Sequence, residues 1–507
     1  MVEHGGVAKA IGADPNRGSC SSERYCTRAI LTGSLPPFQG TYYGAFVTNE
    51  DSLLAACAAA LADDDVVTDP DRLPSYQRDR STGTPAGQPI GVVFPRSTEQ
   101  VSAVMKAAHE LRVPVVPRGA GSGLSGGSNA IDGSLILCVE KMRDVLLVDE
   151  INGFVETQPG IFNTELREHV AKHGLWYAPD PASKDFCSIG GNVNTNAGGL
   201  CCVKYGVTRD AVLGLEVVLA DGRITQLGRR TIKGVAGYDL TALMVGSEGT
   251  LGIVTKARLR LRPIPTPAAT AVAVFAGIAE AGQAAADIMR VLTPSMLEVM
   301  DRVSITAVEQ WRPMGLDTTA EAILLAQVDT PGDAGRKEVE SLLEMCSRAG
   351  AVEVYQSEDP AEAEMLLGAR RMIIPALEAQ GDWLLDDVAV PRSELARAMR
   401  EFAEIGQRND VLIATFGHAG DGNLHPTIVT PRGDSDAAER AMKAFTEILD
   451  VSLACGGTVT GEHGVGSLKQ YELFRELDEP ARDLHVRIKQ AWDPLGILNP
   501  GKSLPRW

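Results

Sequence analysis

The sequence predicts an α+β protein with more than one domain. Three observations carry that expectation. Its 507 residues exceed what a single hydrophobic core ordinarily covers. Short apolar runs with β character alternate with amphipathic helical stretches. A proline-rich break, "RPIPTP", then divides this alternation into two blocks near residue 265. The first block, 51–265, opens on a helix from Ser52 ("LLAACAAALA"). It continues through the runs "GVVFP", "VPVVP", "SLILCV" and "LGLEVVLADGRI", with helices over 97–112 and 163–174. The second block, 266–470, contains the strands "AATAVAVFAG", "AILLAQVD", "VEVYQ", "LLDDVAVP" and "VLIATFGH", between helical stretches such as 334–348 and 392–406. The tail, 471–507, reads as a helix followed by a loop. Residues 1–50, rich in Gly, Ser and Pro without periodicity, read as a loose arm.

Composition removes several function classes. An apolar content of 44% with 22% charged residues is that of a water-soluble globular chain. No run approaches the roughly 18 apolar residues that a membrane span needs. A formal charge of -18 repels nucleic-acid backbones and anionic lipid. The N-terminus lacks a basic region followed by an apolar one, so the expected location is cytoplasmic or peripheral to a membrane. Cys20 and Cys26, or the adjacent Cys201 and Cys202, do not form a CxxC pair, and no four-cysteine run could hold an iron–sulfur cluster.

The densest glycine signal is "VPVVPRGAGSGLSGGSNA", residues 113–130. Gly121, Gly123 and Gly126 fit G-x-G-x-x-G, and Glu140 follows at about the distance that a dinucleotide fold requires. Such a fingerprint must open a helix, yet "SNAIDGSLILCV" runs through turn formers into another β-run, so the Rossmann reading fails. What remains is a long loop of small residues able to present several N–H donors to an anion. A second glycine-rich region, from Cys187 to Arg223, contains Gly190, Gly191, Gly198 and Gly199, and a third reads "GYDLTALMVGSEGTLGIVTKARLRLRP".

In this order the three regions resemble the FAD-binding domain of the vanillyl-alcohol oxidase, or PCMH, type of flavoprotein. The resemblance spans about residues 70–505. It is strongest to the branch of D-lactate dehydrogenases, glycolate oxidase flavin subunits and D-2-hydroxyglutarate dehydrogenases. It implies two α+β subdomains clasping FAD, an α+β cap domain with an antiparallel sheet, and a C-terminal segment that returns to the flavin. The pyrophosphate would lie on Arg118, Gly119, Ala120, Gly121, Ser122, Gly123, Leu124 and Ser125. Further contacts would come from Pro181, Ser188, Gly191, Asn194, Gly198, Gly199, Glu248 and Ile253, with Asn499 near the isoalloxazine. Some relatives attach FAD through a histidine in or near the first loop; residues 113–130 contain none, so non-covalent FAD is expected.

The stretch "FGHAGDGNLHP", 416–426, holds two histidines around a glycine-rich turn. A strand delivering His418, a reversal, and a second strand carrying His425 let both rings face one point. Farther on, "GGTVTGEHGVG" places Glu462 beside His463. Two imidazoles and a carboxylate suit a catalytic metal site with open positions, although hairpin histidines also serve as hydrogen-bonded core or surface residues. The resemblance implies that His418, His425 and Glu462 are metal ligands. Zinc is the first candidate, with manganese and iron suiting the same N and O donors.

A metal fits the implied chemistry. Passing hydride from the α-carbon of a 2-hydroxy acid to flavin N5 requires loss of the hydroxyl proton, and a cation lowers the pKa of the oxygen that it binds. His463 is assigned as the general base, with orientation of Glu462 as its alternative role. Arg370, in "LLGARRMIIPAL", matches the arginine that holds the substrate carboxylate in the family, and Asn423 matches a residue that helps it. D-2-hydroxyglutarate dehydrogenases hold a second carboxylate through a threonine and a lysine where this sequence has Ile374 and Leu385. An apolar wall there favours D-lactate or another monocarboxylate. The alternatives are a glycolate oxidase-type subunit, a D-2-hydroxyglutarate dehydrogenase, a direct oxidase, and a non-redox ether-lipid synthase, which would want a tyrosine-rich site. Expected partners are the small hydroxy acid and an acceptor such as a cytochrome, a quinone or an electron-transfer flavoprotein, with a homodimer left open.

Overall fold

A computed structural model describes residues 49–504 apart from 232, 358 and 359. The expected N-terminal arm, with Cys20 and Cys26, lies outside the described residues except at its last two positions. The cysteines among the described residues are all free. No helix among them is long and apolar enough to cross a membrane.

The first subdomain is built on a four-stranded sheet of β1 (Val66–Val67), β2 (Gly91–Val93), β3 (Val115–Arg118) and β4 (Leu135–Cys138), in the order β1-β2-β4-β3. Strands β2, β4 and β3 run parallel. Burial on both faces explains why "LILC" in β4 is apolar at every position. Helix Thr98–Leu111 covers this sheet. Its N-cap, Ser97, accepts the Gln100 N–H, and the helix stops where Arg112 turns left-handed at φ 57°. The parallel strands β3 and β4 are joined by the loop 119–134 with no helix between them, so the glycine-rich segment is a loop, as its sequence context requires.

The second subdomain is an antiparallel sheet of β5 (Val145–Asp149), β6 (Phe154–Thr157), β8 (Val212–Val218), β9 (Ile224–Gly228) and β10 (Ile253–Arg260), in the order β5-β6-β10-β8-β9. A short side pair joins β7 (Leu175–Trp176) to β11 (Arg262–Pro263). The second glycine-rich region contains a helix that its composition hides, Ile189–Thr195. Ser188 caps it by accepting the Gly191 N–H, and Asn196 ends it in the left-handed region.

The third sheet is antiparallel throughout. It comprises β12 (Ala269–Phe275), β13 (Met296–Asp301), β14 (Ala322–Val328), β15 (Ala351–Ser357), β16 (Asp382–Leu385), β17 (Val388–Ala389), β18 (Leu412–His418) and β19 (Asn423–Thr430). The order is β15-β12-β14-β13-β18-β19-β16, with β17 also on β19. One face packs on the long helices Ile278–Val291, Leu395–Asn409 and Ser435–Ala454. The other face packs on Arg302–Trp311 and Ile373–Gln380. The hairpin β18–β19 has the register Phe416↔His425 and His418↔Asn423, and Glu298 on β13 lies opposite His418. Opposed residues share a face. The apolar face of Met300 and Phe416 therefore runs along the same strands into Glu298, His418, Asn423 and His425.

The tail forms two helices, Gln470–Glu476 and Glu479–Trp492, where its sequence suggests one. It then returns to β3: the Val115 N–H donates to Ile497 O at 2.8 Å, and the Asn499 N–H donates to Val115 O at 2.8 Å. Buried Lys489 fixes this return, donating to Thr250 O (2.7 Å), Leu498 O (2.9 Å) and Asp493 Oδ2 (2.6 Å). Burial pulls the Lys489 pKa down, and the Asp493 carboxylate opposes it.

Replacing Lys489 with Met leaves the buried Asp493 without its cation and two carbonyls without a donor. A loss of about 3–5 kcal/mol is expected, measured as a lower urea midpoint for loss of the FAD-domain signal. A midpoint equal to that of the parent would mean that the C-terminal return is held by its backbone pairing alone.

Candidate active site

The cavity that the subdomains enclose has a volume of about 520 Å³, within the range of ligand sites. Its upper wall is the first loop. Arg118 through Ser125 all line it, as do Pro181, Gly191, Asn194, Gly198, Glu248 and Ile253. Among the described residues the N–H groups of 121–125 donate to no acceptor, and buried Arg118 has no ion-pair partner. A row of free amides beside an unpaired guanidinium fits a pyrophosphate. The backbone comes close here: a Cβ at Gly119 would collide with Ser188 Oγ. Gly121 takes a positive φ of 69°.

Four of the expected contacts stand behind this wall instead of on it. Ser188 ties the loop to its helix by accepting the N–H groups of Ala120 (3.3 Å) and Gly191 (3.2 Å). Gly199 packs against the Asp180 carbonyl. Asn499 donates to Gly127 O (2.9 Å) and Glu248 O (2.7 Å), which clasps the first and third glycine-rich regions, while its Oδ1 is buried without a partner among the described residues. Asn423 spends its amide on Asp387 Oδ1 (2.7 Å) and Val388 O (2.8 Å). Its duty in this structure is to orient Asp387, since it does not line the cavity.

The floor is the polar end of the cap sheet. Three imidazole Nε2 atoms converge on one oxygen, Glu462 Oε1: His418 at 3.2 Å, His425 at 3.4 Å and His463 at 3.8 Å. The rings of His425 and His463 are stacked with centroids 5.1 Å apart, and His418 meets His425 edge-on. Carboxylates stand behind both hairpin histidines. Glu298 Oε1 lies 2.6 Å from His418 Nδ1, and Asp387 Oδ1 lies 3.6 Å from His425 Nδ1. Both ring nitrogens left over therefore point inward. Gly198 presses from the flavin side, where a Cβ would collide with Glu462 Oε2.

Asp387 also builds the Glu462 turn. Its Oδ2 accepts from Thr460 Oγ1 (2.8 Å) and from the N–H groups of Gly461 (2.8 Å), Glu462 (2.9 Å) and His463 (2.9 Å). Neither Glu298 nor Asp387 was named from the sequence. The signal was present as charged residues inside the strand-like runs "MLEVMD" and "LLDDVAV".

The charges explain the titration. Burial alone would raise the carboxyl pKa of Glu298 and Glu462, but His418 holds both low, helped by Arg370 at Glu298 and by His425 at Glu462. Burial likewise opposes a proton on His418, yet the two carboxylates outweigh it and lift its pKa well above the usual imidazole range. His425, where burial dominates, falls to about 4. Two buried carboxylates (Glu298, Asp387) and the half-buried Glu462 face one buried guanidinium (Arg370), which leaves two negative charges when the imidazoles are neutral. A divalent ion fits that balance, and His418, His425 and Glu462 are placed to hold it. The grouping of Asp387 with His425 and His463 is a poorer cradle, because Asp387 Oδ2 already accepts from four donors.

Arg370 lines the cavity beside this floor. Its Nε–H donates to Glu298 Oε2 at 2.8 Å, and its guanidinium carbon lies 4.8 Å from the Phe416 ring centroid. Its terminal N–H groups make no bond among the described residues. Arg371, farther out, pairs with Glu364 at 2.8 Å. Leu200, Ile374, Pro375, Trp383 and Phe416 supply the apolar wall. Ile374 is where the sequence reading wants it. Leu385 is not: it lies on the same sheet face as His425 but packs into the apolar cluster with Met300 and Phe416 and does not line the cavity.

Residues 89–228 match the family described as FAD binding domain, and residues 264–503 match FAD linked oxidases, C-terminal domain. The glycolate oxidase subunit GlcD of Bacillus subtilis is 42% identical over 86% of this chain and 91% of its own length. A D-lactate dehydrogenase of Archaeoglobus fulgidus is 35% identical over 82% of this chain and 92% of its own. Among solved structures, p-cresol methylhydroxylase with substrate bound has the same fold, with a TM-score of 0.76 at 19% identity over 90% of this chain and 97% of that one.

His418→Ala and His425→Ala each remove one inward-facing nitrogen and leave the first loop untouched. Each variant is expected to retain its FAD absorbance while losing bound divalent metal, read by elemental analysis after gel filtration. Metal content equal to the parent's in both variants would show that these imidazoles are only structural.

Proposed function

This chain belongs to the FAD-linked oxidase family, and on that premise we propose that it oxidises a small D-2-hydroxy monocarboxylate, D-lactate first, to the 2-oxo acid. The observation that carries the reading is the placement of Arg370, His463 and the His418–His425–Glu462 cluster on one cavity floor, facing the free amides of the first loop. Bound FAD supplies the two-electron acceptor, and a divalent ion held by His418, His425 and Glu462 supplies Lewis acidity toward the substrate hydroxyl. The FAD is held non-covalently, and an acceptor other than NAD takes the electrons onward.

This chain's own residues do the rest. Arg370 binds the substrate carboxylate through its terminal N–H groups, its direction fixed by the Nε bond to Glu298 and by the Phe416 face. His463 takes the hydroxyl proton at Nε2. The Asp387 carboxylate holds the His463 backbone N–H, so the base and the Glu462 ligand sit on one rigid turn. Leu200, Ile374 and Phe416 exclude water and receive the substrate's hydrocarbon end. No tyrosine lines the cavity among the described residues, which disfavours the ether-lipid alternative. The 42% identity to a glycolate oxidase subunit favours glycolate as a second substrate; the apolar wall favours a substrate with a side chain to fill it.

Dye-linked assays with a panel of hydroxy acids test the substrate class. The kcat/KM for D-lactate is expected to exceed that for D-2-hydroxyglutarate by about tenfold or more, because Ile374 leaves a second buried carboxylate unpaired. A best rate with 2-hydroxyglutarate would mean that Arg371 or Lys184, at the outer cavity, pairs that charge.

His463→Ala tests the base. Metal and FAD content should match the parent, while anaerobic stopped-flow reduction of the flavin slows by about 100-fold. Reduction at the parent rate would leave His463 with only its stacking contact to His425.

A further inference from the structure

Glu298 does not line the site cavity, yet it is completely buried and both of its oxygens are committed to residues of the site. Resting on the metal and substrate assignments above, we infer that Glu298 is a positioning residue that locks the substrate arginine and one metal-facing histidine into a single fixed relation.

The geometry is that of a bridge. Oε1 lies 2.6 Å from His418 Nδ1, and Oε2 accepts the Arg370 Nε–H at 2.8 Å. Its backbone belongs to β13, hydrogen-bonded on one side to β14 and on the other to β18, so the carboxylate starts from a point that cannot drift. A carboxylate offers acceptors at both ends and no donor. It therefore holds a proton on His418 Nδ1, so that Nε2, which faces Glu462 and the cavity, is the nitrogen left for a cation. The same group holds the guanidinium by Nε alone, which keeps the terminal N–H groups for a ligand.

An isosteric amide cannot do both. In Glu298→Gln, an amide oxygen placed on Arg370 leaves the NH₂ facing His418 Nδ1. The ring then accepts there and carries its proton on Nε2, where a cation would have to bind. With the oxygen placed on His418, the NH₂ meets the Arg370 N–H, donor against donor. Either orientation breaks one contact, and exchange between them degrades both. Glu298→Asp keeps the charge but draws the carboxylate back from both partners by about one C–C bond, 1.5 Å.

The test uses the FAD-loaded full chain, stripped of divalent ions by a chelator and titrated with Zn²⁺ against a chromophoric competitor. For Glu298→Gln, Zn²⁺ affinity should fall by about 10–100-fold. The KM for D-lactate in the dye-linked assay should rise by about tenfold, with FAD stoichiometry equal to the parent's. A variant in which either quantity stays within about twofold of the parent overturns the bridge. If Glu298→Gln does not fold with its FAD, Glu298→Asp decides by the same two quantities, which must move in the same directions. A parent chain that binds no Zn²⁺ overturns the metal assignment and this inference with it. A parent that binds Zn²⁺ beside an unaffected variant overturns this inference alone.

Discussion

Gathering the buried Glu298 and Asp387 and the half-buried Glu462 beside one end of a sheet face is the constraint on which the rest of the site depends. An ionised carboxylate out of water is costly unless it is paired and hydrogen-bonded. Each of the three is answered differently. Glu298 has an arginine and an imidazole. Asp387 has three consecutive backbone N–H groups, a hydroxyl and an asparagine amide. Glu462 has mainly imidazoles, and these leave its charge incompletely balanced. The incompletely answered carboxylate is the one that faces the cavity, which is where a cation can enter.

The same turn joins the two halves of the molecule. Immediately after Glu462 and His463, the Val465 and Gly466 N–H groups donate to Glu248 of the FAD-binding half at 2.8 and 2.7 Å. Burial raises the Glu248 pKa to about 7 against these two donors. Ser125 Oγ, in the first loop, donates to His463 O at 3.0 Å. The base and the carboxylate ligand are thus tied to the residues that face the cofactor, so the distance from proton acceptor to flavin site is set by short hydrogen bonds and not by the long path through the cap. A separate tie, Lys204 and Tyr205 on Asp329, fastens the cap strand β14 to the second glycine-rich region.

The α+β class, the loop character of the glycine-rich first loop and the hairpin of His418 and His425 were legible because each rests on local chemistry: period-two runs and glycines without a following helix. Strand β13 was not legible. "MLEVMD" puts Glu298 on a face that otherwise reads as apolar core, and only its partners Arg370 and His418, 72 and 120 residues away in the chain, make that burial tolerable. Helix Ile189–Thr195 was hidden for the opposite reason: its glycines argue against a helix, and tertiary packing with a Ser188 cap overrides them. Leu385 and Asn423 show the limit of matching positions along a line. Both sit near the site in the fold, and the register of β16 puts Leu385 on the face that carries His425, yet Leu385 is taken up by the apolar packing around Phe416 and Asp387 claims the Asn423 amide.

The sheet also explains why a hairpin carries these imidazoles where one turn of helix could bring two together as readily. On a helix, histidines four apart share a face, but the groups behind their outer nitrogens must come from other elements packed at variable distance. In this sheet the hairpin β18–β19 is flanked by strands of its own ladder. Strand β13, beside β18, brings Glu298 opposite His418, and the β16–β17 edge, beside β19, brings Asp387 behind His425. Both carboxylates arrive at spacings fixed by main-chain hydrogen bonds, Glu298 within hydrogen-bond reach of His418 Nδ1 and Asp387 3.6 Å from His425 Nδ1. The open interior of the turn keeps its glycines because there is no room for more: a Cβ at Gly420 would press on Val203, and one at Gly422 would meet the Val390 carbonyl. The glycine-rich turn thus lets the hairpin close tightly enough for its neighbouring strands to reach both rings.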